Sequence, residues 1–201
     1  MTIRAGLLHI SGEADARALV AQLTGLEPGR IAIEHLCSHC GSPEHGAPIL
    51  LVDGEYAPQR ISISHTPHWL AVAITDGEHP ERHVGIDIET LKRVARHDVA
   101  GIVYTSDEAD AVAGLPATQQ AAAATLVWTA KEAVTKSLGI GLRADLTDFE
   151  CSVVGPVLDQ CTVTYPEGES VVHFHSPSPG VMAAVATSSD EQVVWLSWRR
   201  H

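Results

Sequence analysis

The run Gly85-Ile86-Asp87-Ile88-Glu89 sets two carboxylates two positions apart between isoleucines. Side chains alternate along an extended chain, so Asp87 and Glu89 share one face while Ile86 and Ile88 fill the other. Paired carboxylates on a rigid strand suit Mg²⁺, a hard cation that takes one or two protein oxygens and completes its shell with water and phosphate. An isolated Asp-x-Glu is more often the solvent side of an edge strand, so other residues must decide. In Trp128-Thr129-Ala130-Lys131-Glu132-Ala133-Val134-Thr135-Lys136, the residues Trp128, Glu132 and Lys136 recur every four positions and lie on one helical face. Alone they form an intrahelical Glu-Lys pair worth about 0.2–0.5 kcal/mol. Facing the carboxylate strand they form a site for a metal-bound diphosphate, with Glu132 as metal ligand or base and Lys136 as a cation on phosphate oxygens. A third element, Ile61-Ser62-Ile63-Ser64-His65-Thr66-Pro67, ends a strand in Ser64-His65 just before a turn, where polar groups can hydrogen-bond phosphate. The chain has 12 His, so one histidine carries little weight, and without a Gly-x-Ser-x-Gly elbow Ser64-His65 is not a hydrolase pair.

Cys37-Ser38-His39-Cys40-Gly41, with His35 and His45 nearby, offers half of a tetrahedral zinc site. No second Cys-x-x-Cys follows, and Cys151 and Cys161 stand far along the chain. The expectation is a tight turn with buried thiols rather than structural zinc.

The elements that position these groups are short. Ser11 to Gly25 predicts a helix with a cap-type serine, a closing glycine, and Leu19 and Leu23 on one face. β-rich runs follow at 31–33, 49–52, 61–64, 70–74 and 84–89, with Asp53-Gly54 and Asp76-Gly77 as turns. Ser106-Asp107-Glu108 starts a short helix, and Thr118 caps a longer one that ends at Gly139. Strands are expected again at 149–154, 161–165, 171–175, 181–187 and 193–198. His65-Thr66-Pro67 before Leu70-Ala71-Val72-Ala73-Ile74 is echoed by His175-Ser176-Pro177 before Ala183-Ala184-Val185-Ala186. The reading is an α+β fold of two pseudo-twofold-related α+β halves, residues 1–90 and 91–201, with an active-site cleft between them.

With 201 residues, the chain can bury a core without disulfides or a structural metal. Its 13 Lys+Arg against 25 Asp+Glu give a formal charge of −12, which argues against duplex nucleic acid as partner. An anionic ligand therefore needs a local cationic pocket. No apolar run reaches the ~18–20 residues that span a bilayer, no export signal opens the sequence, and 4 Cys are too few for a secreted disulfide framework. A cytoplasmic location and no membrane partner are expected.

Taken in order, Ser62-Ile63-Ser64-His65, Gly85 to Glu89, and Trp128 to Lys136 followed by Gly139-Ile140-Gly141-Leu142 and Asp148-Phe149 resemble the signature of the surfactin-type 4'-phosphopantetheinyl transferases of the holo-[acyl-carrier-protein] synthase superfamily. The resemblance runs roughly from Asp15 to the late strands. It implies transfer of the phosphopantetheine arm of coenzyme A to a serine of an apo acyl or peptidyl carrier protein, releasing 3',5'-ADP. By the same resemblance Asp87, Glu89 and Glu132 hold Mg²⁺, Glu132 takes the serine proton directly or through water, and Lys136 and His65 stabilise the leaving phosphate. Ser64 joins them in binding the cofactor. Arg17 matches a residue that meets the 3'-phosphate, and Gly46-Ala47-Pro48 matches a Gly-Lys-Pro turn near the adenine. Here Ala47 replaces the lysine and the usual basic segment before the first helix is missing, and Arg30, Lys131 and Arg143 are the candidates to supply the charge. The alternative is a non-catalytic module that binds coenzyme A or a carrier protein. Lys92, Arg93 and Arg96 are the docking candidates, a monomer is expected, and the fatty-acid, polyketide and nonribosomal-peptide carriers are not distinguished.

Overall fold

Alternating and fully apolar β-rich runs alternate with helices that are apolar on the side facing a sheet, and the two kinds of element stack accordingly. The computed structural model describes residues 2–10, 15–37, 39–79, 81–95, 100–188 and 191–199. In chain order the elements are β1 (Thr2–His9), α1 (Ala16–Thr24), β2 (Ile31–Leu36), β3 (Ala47–Val52), β4 (Glu55–Tyr56), β5 (Ile61–Thr66), β6 (Trp69–Ile74) and β7 (Val84–Thr90). They continue with α2 (Leu91–Val94), α3 (Ala100–Val103), α4 (Ser106–Ala113), α5 (Ala117–Ser137), β8 (Glu150–Cys151), β9 (Gln160–Tyr165), β10 (Gly168–Ser178), β11 (Val181–Thr187) and β12 (Gln192–Arg199). The architecture is α+β.

One sheet has the order β12-β1-β6-β5, a second β7-β11-β10-β9-β8, and a small third β2-β3-β4. Only the β1/β12 pairing is parallel among these strands. The first two sheets face each other through Ile3, Ala5 and Leu7 on one side and Ile86, Ile88 and Val185 on the other. Leu19 and Leu23 of α1 cover the outer face of the first sheet with Leu8 and Val72. Leu126, Ala130 and Val134 of α5 cover the second with Phe174 and Ala184. The layers run α1, first sheet, second sheet, α5. Strand, helix and closing hairpin recur with matching sheet orders, β1-β6-β5 and β7-β11-β10, and the sequence echo falls on the two hairpins. β7 pairs with β11, so a division of the chain at residue 90 separates β7 from its own sheet.

Gly85 lets β7 and α5 approach closely. A Cβ there would lie 1.9 Å from the Ala133 carbonyl oxygen and 2.6 Å from the Ser137 nitrogen. Because that space is empty, α5 lies directly on β7, on the face that carries Asp87 and Glu89.

β1 is an element the sequence does not predict, β2 and β10 run longer than expected, and three further boundaries shift for local reasons. α1 begins at Ala16 with Asp15 as cap, its carboxylate accepting from the Arg17 backbone N–H; Ser11 lies outside the described residues. α5 begins after Pro116, whose extended backbone leads into the helix, so Thr118 sits inside the first turn rather than capping it. The strand expected over 149–154 shortens to β8 because Ser152 Oγ accepts from Thr162 N at 3.0 Å, a side chain taking the ladder's place. Among the described residues no helix is long and apolar enough to cross a membrane.

Candidate active site

β7 is the edge of its sheet, and an edge strand's backbone groups need partners. Two serines of β5 supply them: Ile86 N donates to Ser62 Oγ at 3.0 Å and Ile88 N to Ser64 Oγ at 3.4 Å. The Ser-x-Ser spacing of one strand thereby reads the alternate residues of another. Ser64 also donates its hydroxyl to Asp87 Oδ1 at 2.7 Å, and Lys136 Nζ donates to the same oxygen at 2.6 Å. The other oxygen, Asp87 Oδ2, is buried and has no hydrogen-bond partner among the described residues.

Glu89 and Glu132 complete an acidic cluster, both buried. Burial, and then the neighbouring Asp87 charge, push the carboxyl pKa of each above its ordinary value, while Lys136 pulls both back. Arg93 adds a 3.2 Å contact to Glu89. An orphaned buried carboxylate oxygen beside two carboxylates held partly against ionisation is an all-oxygen donor set short of positive charge. In donor type those residues suit a hard divalent cation such as Mg²⁺.

A cleft of about 960 Å³ opens beside this cluster. Arg17, Gly46, Pro48 and His65 line it from the N-terminal half, and Lys136 and Arg143 from the C-terminal half. Lys136 thus touches both the cleft and the carboxylates, while Ser64 bonds Asp87 one residue from His65. Arg17 forms a fork with Asp15, 2.6 Å at its shortest, with both side chains exposed.

Of the candidate substitutes for the missing lysine, only Arg143 is on the cleft. Arg30 pairs with Asp53 at 2.5 Å away from it. Lys131 must be corrected: it is 0% exposed, and its ammonium donates to Glu108 Oε2 at 2.5 Å, Val103 O at 2.7 Å and Leu146 O at 3.0 Å. All three of its protons are committed inside the core, so it has none for a ligand. Two residues escaped the sequence reading. Ser62 was visible only as half of the Ser-x-Ser alternation, and Glu108, which also accepts from Cys151 N at 2.8 Å, only as the acid of a helix-start motif.

The fold and this cluster define a class: an α+β protein with three buried carboxylates and a lysine grouped beside a cleft. A family model described as the 4'-phosphopantetheinyl transferase superfamily matches residues 83–185, just over half of the chain, and the chain belongs to that superfamily. The 4'-phosphopantetheinyl transferase psf-1 of Bacillus pumilus is 30% identical over 128 residues, 63% of this chain and 52% of the relative. The match thus spans about half the length of that curated relative. A holo-(acyl-carrier-protein) synthase from Bacillus anthracis str. Ames, solved in complex with CoA (3',5'-ADP), aligns with TM-score 0.43 and 23% identity over 52% of this chain and 93% of its own.

Proposed function

We propose that the chain transfers the 4'-phosphopantetheine arm of coenzyme A to a serine hydroxyl of an apo carrier protein, releasing 3',5'-ADP, with Mg²⁺ required. The observation that carries this reading is the buried Asp87 carboxylate, which accepts from Ser64 and Lys136 on one oxygen and has no partner among the described residues on the other, and which Lys136 joins to a cleft large enough for a nucleotide. Superfamily membership supports the same reaction.

Asp87, Glu89 and Glu132 hold the cation, which when bound neutralises charge on the diphosphate. Burial keeps the Glu132 carboxylate basic, suited to take the proton from the incoming serine hydroxyl. The serine oxygen then bonds to the phosphorus next to pantetheine as the bond from that phosphorus to the bridging oxygen breaks. The departing 3',5'-ADP keeps that oxygen. Lys136 and His65 stabilise the charge it gains, so the protein positions and neutralises without a covalent intermediate. On the cleft, Arg17 and Arg143 are the cations for the 3'-phosphate, and Gly46-Ala47-Pro48 forms the wall for the adenine. Both walls come from one chain, which supports a monomer.

Product identity tests the reading against other uses of a cation site. Incubated with coenzyme A, Mg²⁺ and an apo carrier, the chain should release 3',5'-ADP only when the carrier is present. Coenzyme A binding without 3',5'-ADP release across several carriers would replace it with the non-catalytic binding module.

A further inference from the structure

The loop joining β2 to β3 holds a second cluster that the proposed transfer does not use. Cys37, Cys40 and His45 bring their ligand atoms within 4.8 Å of one another, and Cys40 Sγ lies 3.6 Å from His45 Nε2. Ligand atoms about 2.0–2.3 Å from a tetrahedral zinc ion are separated by roughly 3.3–3.8 Å, so the Cys40–His45 pair already has the spacing of two ligands on one ion. The thiols are not the buried pair that the sequence predicts: Cys40 is exposed and Cys37 half-buried at the cleft wall.

The loop backbone is built around the first sulfur. Cys37 N donates to Ser42 O at 3.0 Å, and Gly41 N returns to Cys37 O at 2.8 Å with Gly41 at φ +71°. The N–H groups of Cys40 and His39 point at the Cys37 sulfur and favour its thiolate. Gly46 then closes the loop. At φ +110°, it passes so near the start of the loop that a Cβ would lie 2.4 Å from the Leu36 carbonyl and 2.5 Å from Cys37 Cα. Only a glycine permits that contact, and it delivers His45 to the two cysteines.

We propose that Cys37, Cys40 and His45 bind one Zn²⁺ ion, as a clasp that ties the end of β2 to the start of β3. Two thiolates and an imidazole are soft and borderline donors, which select Zn²⁺ over the Mg²⁺ of the all-oxygen cluster. Three protein ligands leave a fourth position for water or for a group in the cleft. Gly46, Ala47 and Pro48 follow His45 directly on the cleft wall, so the ion fixes the turn where this chain has Ala47. Coordination releases the thiol protons still bound, so affinity rises with pH.

Binding is measured on the reduced full chain with neither coenzyme A nor carrier present, so its failure is separate from failure of the transferase reading. Titration with Zn²⁺ should saturate at one ion per chain in native mass spectrometry in the presence of excess Mg²⁺. Substituting Co²⁺ should give a thiolate-to-cobalt charge-transfer band and the strong visible absorption of a tetrahedral site. Cys40→Ser and His45→Gln, both at exposed positions, should each weaken Zn²⁺ by more than about 10-fold, the scale on which even outer-sphere partners act. Absence of the charge-transfer band, or Zn²⁺ affinity unchanged in Cys40→Ser, would overturn the site.

Discussion

Asp87 Oδ1 accepts from both Ser64 and Lys136 while Oδ2 accepts from nothing among the described residues, and this asymmetry supports the proposed cation site. The same crowding has a sign in stability. With Glu132 raised above 4.5 by burial and by Asp87, the folded chain holds more protons than the unfolded chain as pH climbs from there. Stability contributed by this group therefore falls as pH rises through that window. Glu132→Gln should accordingly match the wild type below pH 4.5 and melt at a higher temperature near neutrality without metal. Calorimetry across pH, with and without Mg²⁺, checks this, and Mg²⁺ should narrow the gap by stabilising the ionised wild type. Asp87, Glu89, Glu132 and Lys136 were legible because period two and period four report faces directly. Ser62 was not, since its task is to satisfy a backbone N–H in another strand, and no periodicity encodes that.

At the scale of elements, β7 and α5 must touch along Gly85, and α5 must be anchored at its other flank. The buried Lys131–Glu108 pair does this, tying α5 to the start of α4 and to Cys151 N of β8. Removing one partner strands a charge in the core, so Lys131→Met should lower unfolding free energy by about 3–5 kcal/mol in urea titrations. Lys131→Met combined with Glu108→Leu should recover part of that loss. A full-sized effect on the nucleotide KM with unchanged stability would instead return Lys131 to the cleft. The pair was illegible because 23 residues separate the partners and the lysine looks like any other on a helix. β1 was missed for a different reason. Its Ala5-Gly6 centre has little β propensity, and the strand is set by its neighbours, β6 and β12, and by cover on both faces. The hairpins, by contrast, were plain in the sequence, because apolar runs flanked by turn residues have few other ways to be buried.

At the scale of the whole molecule, an acidic chain of formal charge −12 places Arg17, Lys136 and Arg143 on one cleft and Lys92 and Arg93 on one short helix. Lys92 and Arg93 are exposed on α2 immediately after β7, while Arg96 lies outside the described residues. Arg93 also contacts Glu89, so its reversal would disturb the carboxylates, and Lys92 is the cleaner probe. Lys92→Glu should raise the KM for an acidic carrier several-fold, an effect that fades with salt, and leave the KM for coenzyme A unchanged. An unchanged carrier KM would remove α2 from the docking surface. The intact mass of an apo carrier tests whether the cluster on β7 and α5 carries out phosphopantetheine transfer. After incubation with the chain, coenzyme A and Mg²⁺, the carrier should gain the mass of one phosphopantetheine arm, and should gain nothing with Glu132→Gln or with EDTA. No gain from the wild type across carriers of several kinds, or an equal gain from Glu132→Gln, would contradict it.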